Sequence, residues 1–308
     1  MLCDTMTSYK CEGEVMKRAP AAIITLISIS VFILLNSCAT LGGPVSYLQD
    51  PEEIYIMEAG ILRNEMEFAD GTDMQLSYEF DEPEYKVLIE KYGIDRIAGE
   101  GTEFQRALRL MSEFAPRLRH ASNYDNHITM EALPLLEYCL DKPGNGINCR
   151  SKAQIFTEMC LALGIHARKV WIMPNSPYDS ECHVVNEIWD SSLDKWVMLD
   201  ITNNEYWIDE NGTPLSVLEI RDKGALMEFC TPVYAWESTS NPQLLKRVHM
   251  ADFIYIMKNM AYMEYLDGNG VGELGGIWLL FPGNLKTEYQ KIITREAVEK
   301  SPVKDISN

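Results

Sequence analysis

Basic residues are scarce in this sequence. Lys and Arg number 27 against 46 Asp and Glu over 308 residues, a formal net charge of −19. A phosphate backbone would be repelled over most of such a surface, which argues against nucleic acid as a partner. Cys-x-x-Cys pairs are missing as well. Beyond the first forty residues the cysteines are Cys139, Cys149, Cys160, Cys182 and Cys230, an odd number without finger spacing, so neither a zinc ribbon nor a disulfide framework is expected. No motif implies a metal or other cofactor. There is no internal repeat or low-complexity tract, which excludes an array fold.

What is present is a composition that folds: 46% hydrophobic and 10% aromatic residues can bury one large core or two smaller ones. The chain opens with residues 1–15, which have no export character and are read as a mis-assigned start ahead of Met16. Met16-Lys17-Arg18 then forms a basic head before Ala21 to Leu35, fifteen residues with only Thr25, Ser28 and Ser30 polar. This run is shorter than the roughly 20 residues of a membrane span and reads as the apolar region of a signal peptide over 16–38. Its end, Leu35-Asn36-Ser37-Cys38, resembles the lipobox of bacterial lipoproteins, which implies lipidation of Cys38 and a lipid anchor outside the cytoplasm, in the cell envelope. Residues 39–50 follow as a tether, 51–100 as a helical N-terminal extension, 101–220 as a core and 221–308 as a mixed C-terminal extension.

Helical periodicity is visible in four places. Ile54, Met57, Ile61 and Met66 recur at helical spacing after Pro51. Thr102 and Gln105 match a capping box ahead of Phe104, Leu108, Met111 and Ala115, a stripe interrupted by Pro116. Leu133, Leu136 and Leu140 mark a helix over 129–140, after an Asn-, Asp- and Ser-rich loop from His120 to His127. Residues 149–163 give a fourth, with Ala153, Phe156, Cys160 and Leu163 on one face and Gly164 as its stop. β-Branched and aromatic content predicts strands over 167–173, 183–189 and 196–201. Beyond the Asp209-Glu210-Asn211-Gly212 turn the pattern is mixed, with apolar stretches from Phe253 to Tyr265 and from Gly275 to Phe281. The methionines Met250, Met257, Met260 and Met263 are expected in the core.

The chemistry is concentrated around Gly146-Ile147-Asn148-Cys149-Arg150-Ser151-Lys152. A Gly- and Asn-containing loop puts Cys149 at the first turn of a helix, where the partial positive charge favours thiolate and free N–H groups can meet an oxyanion. Arg150 and Lys152 add positive charge. Downstream, His183 and Asp200 stand on opposite arms of a predicted hairpin. A thiol nucleophile needs a base, and the base needs a carboxylate to hold its tautomer. If Trp189 faces Trp196, opposed residue numbers sum to 385, and His183 and Asp200 share a face as diagonal neighbours; an even sum would part them. The other histidines, His120, His127, His166 and His249, have no partner at metal-ligand spacing.

In this order the sequence resembles the transglutaminase-like superfamily from about Gln105 to Ile220: Gly146-x-x-Cys149 at a helix start, Leu163-Gly164-Ile165-His166-Ala167-Arg168 entering a strand, His183 followed by Val185 and Glu187, and Trp196-Val197-x-Leu199-Asp200. The resemblance implies an α/β (α+β) papain-like core, with the nucleophile at a helix N-terminus packed on an antiparallel sheet, and a Cys149–His183–Asp200 triad acting on a peptide or protein amide through an acyl-thioenzyme. The alternative is a non-catalytic ligand- or protein-binding module of the cell envelope. Two positions depart from the family pattern. Ile201 replaces the usual Pro after the acid, and Val185 stands where Trp is common. For the side chain of the oxyanion hole, Asn123 and Tyr124 are the candidates.

Overall fold

The computed structural model describes residues 51–142, 144–176, 178–234, 241–285 and 291–303. The expected signal peptide, Cys38 and the tether lie outside them. Among the described residues no helix is long and apolar enough to cross a membrane.

Nine helices and eight strands follow in chain order among the described residues: α1 (Pro51–Asn64), β1 (Ser77–Tyr78), α2 (Pro83–Tyr92), α3 (Ile94–Ala98), α4 (Glu103–Phe114), α5 (Ala132–Asp141), α6 (Cys149–Ala162), β2 (Ala167–Met173), β3 (His183–Asp190), β4 (Lys195–Asp200), β5 (Glu205–Ile208), α7 (Val217–Ala225), β6 (Thr231–Tyr234), α8 (Pro242–Lys258), β7 (Tyr262–Asn269), β8 (Glu273–Leu280) and α9 (Arg295–Glu299). The strands form one sheet in the order β1-β7-β2-β3-β4-β5-β6, with β8 also paired to β7. All pairings are antiparallel except β1 with β7. This is a mixed α+β fold with an open, mostly antiparallel sheet.

Two apolar cores sandwich the sheet. On one face Ala167, Ile188, Val197 and Leu199 pack against Leu88, Leu110, Phe114, Leu136, Phe156 and Met159 from helices α2 to α6. On the other, Val170, Ile172, Val185 and Met198 pack against Leu62, Leu218, Phe253, Ile256 and Met257 from α1, α7 and α8. Because both faces are covered, every residue of β3 is buried. Helix α6 is equally enclosed, with Ser151 through Leu161 all buried, its polar residues Gln154, Thr157 and Glu158 included. Each large apolar side chain it removes from water, such as Phe156, contributes about 2–3 kcal/mol. The helix is tied to the sheet through Asn186 of β3, which donates its amide to the Ala153 carbonyl at 3.0 Å and to Thr157 Oγ1 at 2.9 Å. Gly164, at φ +74°, ends the segment in the left-handed region that favours glycine.

The capping box at Thr102 and Gln105 forms, and the helix it starts gives way at Ala115 to a short 3-10 turn containing Pro116. Three helical faces differ from the expected ones. Helix α1 buries Tyr55, Glu58, Ala59 and Leu62 and leaves Met57 exposed. Helix α4 buries Ala107, Leu110, Met111 and Phe114. Helix α5 starts at Ala132 and buries Ala132, Leu135, Leu136 and Cys139. Met111, Ala115 and Leu136 are buried as expected. The apolar stretch from Phe253 to Tyr265 is the end of α8 followed by the start of β7. Met257, Met260 and Met263 are fully buried there.

Candidate active site

Gly146 holds two loop segments together. Ile147 N–H donates to the Arg119 carbonyl at 3.0 Å, and Ala121 N–H to the Ile147 carbonyl at 2.9 Å. A Cβ on residue 146 would stand 2.9 Å from the Ala121 Cβ and 3.2 Å from the Arg119 oxygen. Asn148 then caps α6, its Oδ1 accepting from Ser151 N–H at 3.0 Å and from the Ser151 hydroxyl at 3.1 Å, while its amide donates to Asn126 Oδ1 at 3.0 Å. Cys149 becomes the first helical residue. The N–H groups of Cys149 and Arg150 have no acceptor among the described residues.

The hairpin has the odd register. Trp189 pairs with Trp196 and Asn186 with Leu199, a sum of 385. His183, at the start of β3 and 4% exposed, and Asp200, at the end of β4 and fully buried, lie on one face, with His183 Nε2 2.7 Å from Asp200 Oδ2. Asp200 also accepts from Thr202 N–H at 2.8 Å, from Asn203 N–H at 3.2 Å and from the Asn203 amide at 3.0 Å. Four donors thus occupy its oxygens. The turn works without proline, because Ile201 goes fully into the core.

These contacts set the charges. Burial raises the Cys149 thiol, but the His183 hydrogen bond and charge, with the Val184 N–H, more than offset it and hold the thiol below the usual cysteine range. Burial opposes the His183 imidazolium; the charge and hydrogen bond of Asp200, then the Cys149 hydrogen bond, outweigh it and hold its proton well above the usual range. Burial raises the Asp200 carboxyl, and His183 and the turn N–H groups bring it below the ordinary value. The pair therefore favours thiolate and imidazolium. Among the five described thiols the other four move the opposite way: burial pushes Cys139 up to about 11 and Cys230 up to about 12, and raises Cys160 and Cys182.

Several expectations need correction. Arg150 does not charge the nucleophile's surroundings, because its guanidinium is paired with Glu273 on β8, Nε to Oε1 2.7 Å. Tyr124 packs against His127 and Tyr138, and its hydroxyl accepts from Ile128 N–H at 3.1 Å. Asn123 is exposed on the loop. Arg168 and Glu187, part of the family pattern, bond each other at 2.6 Å in the interior, with Arg168 lying over the Trp196 ring.

Other residues near the triad went unnoticed in the sequence. Tyr255 on α8 places its ring 6.0 Å from that of His183. Glu205 is paired directly across from Asp200, and burial, then the charges of Asp200 and Asp252, raise its carboxyl well above the usual range. His120, set aside for lack of a metal partner, is brought beside Ile147 by the bridge to the Cys149 loop. Burial, then the charges of Lys152 and His183, lower it. Lys152 is 2% exposed. The sequence offers it as positive charge beside Cys149, three residues on and therefore on the same side of the helix, with no sign of its burial.

The sequence model of the transglutaminase-like superfamily matches residues 92–201. No curated protein matches the chain. Among solved structures, a candidate cysteine protease from Cytophaga hutchinsonii aligns at 16% identity over 49% of this chain and 47% of its own, with a TM-score of 0.31. Rad4–Rad23 bound to a 6-4 photoproduct lesion aligns at 13% identity over 61% of this chain and 43% of its own, with a TM-score of 0.21. The chain spans less than half the length of either. The residues that match the transglutaminase-like superfamily model, 92–201, contain Cys149, His183 and Asp200.

Proposed function

We propose that the protein is an exported cysteine enzyme in which Cys149, His183 and Asp200 act on an amide or peptide carbonyl through an acyl-thioenzyme. The observation that carries the reading is the His183–Asp200 pair, joined at 2.7 Å on one face of the sheet, with Cys149 at the capped start of α6. In the first step the Cys149 thiolate adds to the carbonyl carbon, and the negative oxygen is received by the free N–H groups at the start of α6. His183 gives its proton to the departing amine, leaving a thioester on Cys149. In the second step His183 takes a proton from water, or from an acceptor amine, as that nucleophile attacks the thioester and frees the thiolate. Asp200, its oxygens filled by four N–H donors, fixes the ring and stabilises the imidazolium.

Export and anchoring are part of the same proposal, supported by the apolar run from Ala21 to Leu35 and the lipobox ending at Cys38. The test is incubation of the full chain, solubilised in mild detergent, with a peptide library and a primary amine, scored by mass. Cleavage or amine incorporation that disappears in Cys149→Ala supports the enzyme. Neither product in the wild type, with retained peptide binding, supports the non-catalytic module instead.

A further inference from the structure

Lys152 is a buried cation with nothing to pair with. Its side chain is 2% exposed, yet no hydrogen-bond or ion-pair partner for its ammonium exists among the described residues. The neighbouring charges are already engaged. Arg150 and Lys169 both hold Glu273, Lys169 at 2.8 Å. Asp200 is the strongest attraction Lys152 feels, but its two oxygens are filled by His183, Thr202 and Asn203, close to the four sites a carboxylate offers. Burial disfavours its charged form, and a counter-charge arriving beside it would restore the ammonium.

Its direction is set by the helix. Side chains on an α-helix lean toward the N-terminus, so Lys152, three residues beyond Cys149, runs back toward the catalytic turn. It is within electrostatic range of Cys149 and of the exposed His120 on the adjoining loop. The structure thus has an enclosed lysine side chain, unpartnered among the described residues, at the N-terminus of an enclosed helix, beside two free N–H groups.

We propose that Lys152 receives a carboxylate of the substrate, so that the amide attacked by Cys149 lies close to a free carboxylate, with His120 at the edge of the same site. This rests on the reading of Cys149 as the nucleophile. It defines the substrate class as acidic acyl or amino components, despite a net charge of −19 that repels anions from the surface at large. Any anion preference at Cys149 must therefore have a local cause.

Two alkylating reagents test it without knowledge of the substrate. Iodoacetate carries a carboxylate one bond from the carbon attacked by sulfur, and iodoacetamide is its neutral counterpart. In each case the thiolate displaces iodide and forms a C–S bond, and the rate at Cys149 is read by mass on the full chain. The expected result is that the iodoacetate-to-iodoacetamide rate ratio falls by about tenfold in Lys152→Met, a modest fraction of a close charge pair, and is retained in Lys152→Arg. In the wild type, acetate should protect Cys149 from iodoacetamide while acetamide does not. An unchanged ratio in Lys152→Met, or no protection by acetate, overturns the carboxylate site while leaving the nucleophile in place. Failure of both reagents to label Cys149 overturns the nucleophile reading, and the carboxylate inference with it.

Discussion

Glu158 should make the stability of this fold fall as pH rises toward neutrality. It is fully buried in α6, and Oε1 accepts from the Ala132 N–H at 3.0 Å, the Gln154 amide at 2.6 Å and the Gly272 N–H at 3.2 Å. Burial is the dominant influence and pushes its carboxyl from 4.5 up to about 7, against the pull of those donors. A group that ionises later in the folded state than in the unfolded one stabilises the fold fully below the unfolded value. That contribution drains away as pH rises through the interval and is gone above the folded value. Each pH unit over which the two states differ is worth about 1.4 kcal/mol, so the interval from 4.5 to about 7 removes about 3 kcal/mol. Glu158→Gln keeps an acceptor for the three donors and abolishes the titration. In urea unfolding from pH 4.5 to 8, the difference between variant and wild type should grow by about 3 kcal/mol in favour of the variant and then level off. Parallel stability curves would refute the reasoning. The effect bears on the site, because Gly272 precedes Glu273, the residue that holds Arg150 beside Cys149.

The other predictions concern the remaining cysteines. Cys160→Ala should leave alkylation of Cys149 unchanged and cost about 1 kcal/mol in urea unfolding, the effect of a small cavity at a fully buried site; a loss of Cys149 reactivity would contradict its purely packing role. Cys38→Ala should move the protein out of the membrane fraction or leave an unprocessed precursor. Unchanged membrane retention with normal N-terminal processing would end the lipid-anchor reading.

The parts of the site legible in the sequence are those made by neighbours along the chain. A cap, a glycine and a cysteine before an apolar segment mark a helix start, and a Trp on each side of a turn sets a register that puts His183 and Asp200 on one face. The parts that escaped are made across the chain. Arg150 looked like a cation for the nucleophile because its partner, Glu273, is 123 residues away. Tyr255 sits on a helix that ends inside the apolar stretch, where only Lys258 and Asn259 separate its 3.6-residue period from the two-residue period of β7. Glu205 belongs to a four-residue strand too short for periodicity to register. Lys152 was legible as positive charge beside Cys149 but not as an enclosed residue, because a charged side chain in a helix carries no sign of burial in the sequence.

The central claim is that His183, held by Asp200, lowers the Cys149 thiol and so activates it as the nucleophile. Its most direct test is the pH dependence of iodoacetamide alkylation at Cys149, followed by mass in the wild type and in His183→Ala. The wild-type rate should reach half its plateau below the ordinary thiol range, because His183 lowers this thiol, and the variant should need a higher pH, since burial then acts without its counterweight. Profiles that coincide in the two proteins, or a wild-type Cys149 that titrates no lower than the exposed Cys182, would contradict the account.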